Sequence, residues 1–562
     1  MTTAPETTSA PATAAEVVRL RADDTKPGFF FEDTVLTWQE YYQHSVRYAH
    51  LIDELLGDST PRHVGIIMEN RPEFMFVWGA CALTASVQVS LNTTRRGAEL
   101  AGDVYATDCQ VVLHGDAEKD FVAQLGLEGV PTINVDDAAV QERLAAFPVD
   151  EPPHHPAAYD PATILTMQFT SGSTGRPKAV MVSTGRFAFA ATYSWGDIGR
   201  EHVAYNAMPL FHSNAMMSAW ATMVYHGGGF ALARRFSASR FLDDVLRFNA
   251  NFFNYAGRTL SYILAQPERP EEANTKLKYV FGTEATPRDR AEFARRYGVA
   301  PTESYGSSEG GLSITRVPGT PDEALGKPMP GAPYRAAVLD PVTLEEKPPA
   351  VFGENGEILN KSEAIGELAA LDNGHAFEGY YKDEAATAER VRDGHFLSGD
   401  LGYSDAEGYL YFAGRMGDRF RVDGENFSAA PIERIIGRYP RALLAAVYPV
   451  PDAISGDQVM LALQLDDDRP FDSEDFARFL EEQPDLGTKW VPRYVRIVTE
   501  LPTTATRKID KPSLRRERWD TSDAVYIRKD REFAYVPVDD SVRSDILAHF
   551  EKHGREGVLR ND

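Results

Sequence analysis

The chain has 562 residues, more than one hydrophobic core can organise, so two or more domains are expected. Its 43% hydrophobic and 25% charged residues are those of an ordinary globular protein, and a formal net charge of −25 excludes nucleic acid as a bulk partner. Any anionic ligand must be held locally, by backbone N–H groups and a few placed cations.

The N-terminal stretch MTTAPETTSAPATAAE (1–16) is rich in Ala, Thr and Pro and lacks an apolar core. It reads as a disordered lead-in, not a signal peptide. The uncharged run Phe74 to Thr93 approaches membrane-span length. Its Ser, Gln and Thr residues and the lack of a basic flank instead predict a buried helix (FMFVWGACALT) running into a buried strand (SVQVSL). Apolar runs then alternate with helical patterns: VGIIM (64–68), VVLHG (111–115), TILTMQF (163–169), VAYNAMP (203–209), GGFALA (228–233), FFNYAG (252–257) and LKYVFG (277–282), with helices at 237–249 and 288–298, the latter capped by Gly298. That alternation predicts parallel α/β sheets. Residues 312–415 are rich in Gly and Pro, with short strands YRAAVLD, GEILN, GELAAL and GYLYFAG, and form a β-rich subdomain. From Pro431 a second α+β unit follows: PIERIIGRY, ALLAAVYPV, QVMLALQL, DSEDFARFLEEQ, RYVRIVTE. Two cysteines, Cys81 and Cys109, supply neither a disulfide framework nor a zinc site, and the plain expectation is a reducing, cytoplasmic setting.

Thr170–Val180, TSGSTGRPKAV, follows directly on the run ILTMQF. It is not a mononucleotide P-loop: Gly172 and Gly175 are too close, Pro177 precedes Lys178, and no Ser or Thr follows. Its small residues still let backbone N–H groups approach an anion, and Thr170, Ser171, Ser173, Thr174 and Lys178 add hydroxyls and charge. As a plain Ser/Gly surface turn it would look much the same. A rival motif is GSSEG (306–310), which matches G-x-S-x-G and would make Ser308 the nucleophile of a serine hydrolase. That elbow needs a strand before it and a helix after it. VAPTESY fits the strand, but GLSITRVPG is a poor helix.

The loop at 170–178, ESYGSSEG, SGDLGY, GRMGDRFRVDGENFS and TATRKIDK, in this order, resemble the adenylate-forming superfamily, and FNYAGRTLSYILAQP and the tail DAVYIRKDREFAYVPVDD resemble its acyl-CoA synthetases of the fatty-acid-transport-protein and very-long-chain branch. The resemblance implies an α/β N-terminal AMP-binding domain (17–415, including the β-rich part 312–415) and a small mobile α+β domain (416–562). It implies an ATP-dependent acyl-CoA ligase for a medium-chain, long-chain or bulky (sterol side-chain) hydrophobic acid, acting through an acyl-adenylate, with Mg²⁺ and with CoA as cosubstrate. An acyl-AMP ligase that loads a carrier protein is the alternative within the superfamily.

By the same resemblance, Thr170, Ser171, Gly172, Ser173, Thr174, Gly175 and Lys178 would cradle the β- and γ-phosphates. Tyr305 would stack on adenine and Glu303 would meet its amino group; Ser308, where the family usually has Thr, would touch the α-phosphate. Glu309 would hold Mg²⁺, and Asp400 and Arg415 the ribose. Lys508 would be the adenylation lysine, preceded here by Arg507 rather than the usual Gly. Gly417 and Asp418 would form the hinge, with Gly417 where relatives carry Asp or Lys, and Gly424 would approach the CoA tunnel. His212 would gate an acyl pocket lined by Phe211, Asn214, Tyr255, Gly257, Gly282 and Thr283, a set without a cation, while Glu284 beside it has no assigned role. No transmembrane segment is expected, and peripheral membrane contact and oligomeric state stay open.

Overall fold

The computed structural model describes residues 10–559 except 171–176, 193–196, 318, 330, 354–357, 416–418, 423–424, 455, 468, 485, 505–507 and 529–532. They form two compact units: the chain through Gly310 together with His375–Glu389, and Gly311–Gly374 together with the chain from Arg390 onward.

The first unit contains two sheets. One runs in the order Thr132–Asn134, Val111–His114, His63–Ile67, Val87–Ser90, Ile164–Thr170 and Lys178–Ser183. Its pairings are parallel except the last, an antiparallel hairpin. His63–Ile67, Val87–Ser90 and Val111–His114 are buried at every position, and HVGII and VVLH accordingly read as largely apolar runs, while VQVS buries Gln88 and Ser90 as well. The run from Phe74 resolves as anticipated: helix Pro72–Leu83 is buried all round from Phe74 to Leu83, and Val87–Ser90 follows as an interior strand. Among the described residues no helix is long and apolar enough to cross a membrane.

The other sheet runs Thr302–Gly306, Tyr279–Thr283, Phe252–Ala256, Val203–Asn206, Gly229–Leu232, Pro27–Phe31 and Thr34–Thr37 within this unit. Only the final pairing is antiparallel. The predicted helices at 237–249 and 288–298 appear as Ala238–Arg247 and Pro287–Tyr297. The second has clear punctuation. Thr286 accepts the Asp289 N–H at its start, Pro287 opens the first turn, and Gly298 closes the end at φ 71° with its N–H on the Ala294 carbonyl.

The second unit holds an antiparallel sheet of Arg335–Leu339, Gly366–Leu371, His395–Ser404, Val391–Arg392 and Leu410–Arg415. It also holds a sheet ordered Ala442–Pro451, Asp457–Leu465, Tyr494–Val498, Ala524–Arg528 and Tyr535–Pro537, with helices Ala429–Ile436 and Ser473–Glu481 near the predicted places. Of the predicted strand GEILN only Ile358, Leu359 and Asn360 are described. In GEILN, Ile358 makes only an isolated bridge to Phe352, and a short helix, Lys361–Ala364, follows. The Asn360 side chain accepts the Val351 N–H and donates to the Pro349 carbonyl.

Gly298 faces open space, so a methyl there meets nothing and only its left-handed backbone is strained. Gly298→Ala should therefore cost about 1 kcal/mol, read as a lower urea midpoint with an unchanged slope.

Candidate active site

Parallel pairing puts the carboxyl ends of Val203–Asn206, Phe252–Ala256, Tyr279–Thr283 and Thr302–Gly306 on one edge of their sheet. In open α/β sheets that edge is where ligands bind. The candidate residues follow those ends in turn: Phe211, His212 and Asn214 after the first, Gly257 after the second, Thr283 at the end of the third, and Tyr305, Ser308 and Glu309 at or after the fourth. Segments a hundred residues apart in the chain thus serve one edge.

The segment carrying Phe211 to Asn214 is fastened from below. Asn70 donates to the Met208 carbonyl and accepts the Leu210 N–H, both at 2.9 Å. The His212 N–H donates to the Pro209 carbonyl, and the His212 ring lies 4.5 Å from that of Phe211. Fully buried Asn254 donates to Asn214 Oδ1 at 3.0 Å. A π-helical stretch, Ala215–Trp220, follows at once, a wide turn that recurs at functional sites and that no residue pattern announced.

Several predicted site residues are tied to one another by packing and hydrogen bonds. Tyr255 is wholly buried and donates its hydroxyl to Glu303 Oε1 at 3.1 Å. Gly282 lies against the Tyr255 ring, where any Cβ would collide with it. Glu303 accepts the Ala285 N–H at 2.6 Å and the Arg290 guanidinium at 3.1 Å. Burial pushes the Glu303 carboxyl up, against the opposing pull of the Ala285 N–H, Arg290 and Tyr255. Its carboxylate thereby holds the turn after Tyr279–Thr283. That turn contains Glu284, exposed and at φ 73°, an unfavourable conformation for a side chain with a Cβ.

Thr170 and Lys178 are opposite each other in the antiparallel hairpin. Ser171, Gly172, Ser173, Thr174 and Gly175 lie outside the described residues. Lys178 Nζ sits 5.2 Å from the centre of the Tyr380 ring. Tyr380 donates to Glu309 Oε1 at 2.7 Å in a buried contact. Arg186, on helix Thr184–Thr192, donates to the Ser308 carbonyl at 2.7 Å and lies 3.8 Å from Glu378. Burial pushes the Arg186 pKa down, while Glu378 and Glu309 push it up. Gly310 has φ 74°, and any Cβ there would strike the Arg186 guanidinium. Arg186, Glu378 and Tyr380 escaped the sequence reading. Their only signals were a lone Arg after the hairpin and a Gly-Tyr pair in FEGYYKDE.

The hydrolase elbow is not formed. A strand, Thr302–Gly306, precedes Ser308, but the next element after it is the strand Ser313–Thr315, not a helix.

In the second unit Asp400 and Arg415 are direct cross-strand partners in His395–Ser404 and Leu410–Arg415. Asp400 is thus a strand residue. The positive-φ residue is Gly399, where any Cβ would strike Arg390. Lys508 stands beside the bridge Thr503–Ile509, and its carbonyl accepts the Thr504 N–H at 2.7 Å. Asp510 then caps helix Lys511–Glu517. Gly417, Asp418 and Gly424 lie outside the described residues.

Residues 16–367 match the AMP-binding enzyme family and residues 431–508 match the AMP-binding enzyme C-terminal domain. The chain belongs to the AMP-binding enzyme family. It is 43% identical to the steroid-22-oyl-CoA synthetase of Rhodococcus jostii (strain RHA1) over 97% of this chain and 99% of that protein. It is 44% identical to the medium/long-chain-fatty-acid--CoA ligase FadD17 of Mycobacterium tuberculosis over 89% of this chain and 95% of that one. The solved structure of ATP-bound MatB from Rhodopseudomonas palustris superposes with a TM-score of 0.78 at 22% identity, covering 90% of this chain and 98% of MatB, a likeness of fold. For this AMP-binding enzyme the described residues contain no cluster of three or more His, Cys, Asp or Glu poised for a metal. A single carboxylate such as Glu309 still suits Mg²⁺, which takes most of its ligands from phosphate oxygens and water.

Glu303→Ala would take the carboxylate acceptor from the buried Tyr255 hydroxyl and from the half-buried Arg290 guanidinium. It should cost about 3 kcal/mol or more in urea unfolding, the size expected when one partner of a buried charged pair is removed.

Proposed function

We propose that this chain is an ATP-dependent acid–thiol ligase that joins a hydrophobic carboxylic acid to CoA through an acyl-adenylate. The observation that carries this reading is similarity running almost end to end along two CoA ligases, together with the gathering of His212, Tyr305, Ser308 and Glu309 along one edge of a parallel sheet.

In the first half-reaction the substrate carboxylate attacks the α-phosphorus of ATP, and the bond to the pyrophosphate leaving group breaks. Charge develops on the phosphoryl oxygens, and donors placed beforehand stabilise it. Ser308 and Lys508 are the residues proposed for this, with Thr170–Lys178 holding the pyrophosphate end, Tyr305 the adenine, and Asp400 and Arg415 the ribose. Mg²⁺, held by Glu309 when bound, would neutralise phosphate charge. In the second half-reaction the CoA thiol attacks the acyl carbonyl, AMP leaves, and the thiol proton goes to solvent or to a base. Turning of residues 416–562 about Gly417–Asp418 is proposed to withdraw Lys508 and bring Gly424 to the CoA tunnel.

The acid is proposed to be apolar: a medium- or long-chain fatty acid or a steroid side-chain acid, the classes named in the two relatives. Phe211, Asn214 and Gly257 offer no cation for a polar or amino-acid substrate.

Lys508→Ala should abolish carboxylate-dependent ATP–pyrophosphate exchange, by at least a hundredfold, while thioester formation from preformed acyl-AMP persists. Normal exchange in that variant would remove Lys508 from the chemistry. A screen of AMP release over acids of graded length and ring content, with and without CoA, should give CoA-dependent turnover with apolar acids. Turnover that ignores free CoA and needs a carrier protein would instead identify an acyl-AMP ligase.

A further inference from the structure

Residues His375–Glu389 leave their flanking sequence and join the first unit. They add to the edge of strand Lys178–Ser183: the Met181 N–H donates to the Gly379 carbonyl at 3.1 Å, the Tyr381 N–H to the Ala179 carbonyl at 2.9 Å, and Val180 bridges Tyr380 in antiparallel fashion. The segment is held elsewhere too. Tyr381 donates to Asp108 at 2.6 Å, Lys382 pairs with the same carboxylate at 2.5 Å, and Glu378 accepts the Ser183 N–H at 2.8 Å. Tyr380 is thus a side chain on a fastened strap.

Its two ends touch two different parts of the site. The ring lies beneath Lys178, at the root of the phosphate loop, and the phenol donates to Glu309 Oε1. Glu309 is only 7% exposed. A buried carboxylate with one oxygen pinned by a strong donor has its plane set and its second oxygen, Oε2, turned over to a cation.

We propose that Tyr380 is a positioning residue for the metal–phosphate end of the ATP site: its phenol orients the Glu309 carboxylate and its ring seats Lys178. This rests on the reading of Glu309 as the metal carboxylate. Tyr380→Phe deletes only the hydroxyl and keeps the ring under Lys178. Tyr380→Leu deletes both contacts.

The test measures the Mg²⁺ concentration for half-maximal ATP–pyrophosphate exchange, and ATP binding by calorimetry with and without Mg²⁺. In Tyr380→Phe the Mg²⁺ requirement should rise about tenfold or more, and the Mg²⁺-dependent gain in ATP affinity should shrink by a similar factor. ATP binding without Mg²⁺ should stay as in the parent protein, which also reports that the variant is folded. Tyr380→Leu should in addition weaken ATP binding without Mg²⁺, through the loss of the seat for Lys178. Glu309→Gln separates the two ideas. If it raises the Mg²⁺ requirement while Tyr380→Phe does not, the reading of Glu309 stands and the positioning role of Tyr380 is overturned. If Glu309→Gln leaves the requirement unchanged, the reading of Glu309 falls and the proposal falls with it. A Tyr380→Phe protein that melts lower yet keeps its Mg²⁺ dependence also overturns the proposal.

Discussion

Parallel strand pairing is the constraint on which the candidate site depends. A parallel neighbour cannot be reached by a tight turn, so the chain must cross back over the sheet before each new strand. Every strand then begins at one edge and ends at the other. In the sheet that contains Val203–Asn206, Phe252–Ala256, Tyr279–Thr283 and Thr302–Gly306, four successive exits open on the same side. His212, Gly257, Thr283 and Glu309 share an edge for that reason, with no need for local sequence to bring them together.

Beneath that edge, buried polar groups set the shape of the turns. Glu303 links Tyr255, Ala285 and Arg290, and Asn70 and Asn254 fasten the segment before the π-helical stretch. Such groups are costly to bury unless paired, and the pairing fixes one backbone path. The Ser308–Gly310 turn is held in the same manner, its carbonyl by Arg186 and its carboxylate by Tyr380. Gly310 is required there for two separate physical reasons, a left-handed φ and the guanidinium packed where a side chain would go. An alanine would satisfy neither.

Much of the architecture was legible in the residues. Interior parallel strands announce themselves as unbroken apolar runs, and VGIIM, VVLHG and FFNYAG became His63–Ile67, Val111–His114 and Phe252–Ala256. Capping chemistry marked Pro287–Tyr297, where Thr286, Pro287 and Gly298 all speak for the same boundaries. Asp400 and Arg415, 15 positions apart, are brought opposite each other by antiparallel strand pairing.

The sequence by itself determined the family, the alternation of strands and helices, and the order of the motifs that carry the chemistry, because short-range periodicity and motif residues are local properties. Only the tertiary structure decided which polar residues serve the scaffold. Tyr255, Gly282 and Glu303, expected at the pocket and the adenine, pack and bond to one another beneath the edge. Tertiary structure alone also brought Tyr380, 71 positions away in the chain, onto Glu309, and Arg186, 122 positions away, onto Ser308. Such contacts depend on how the chain returns after long crossovers, and no local pattern encodes that.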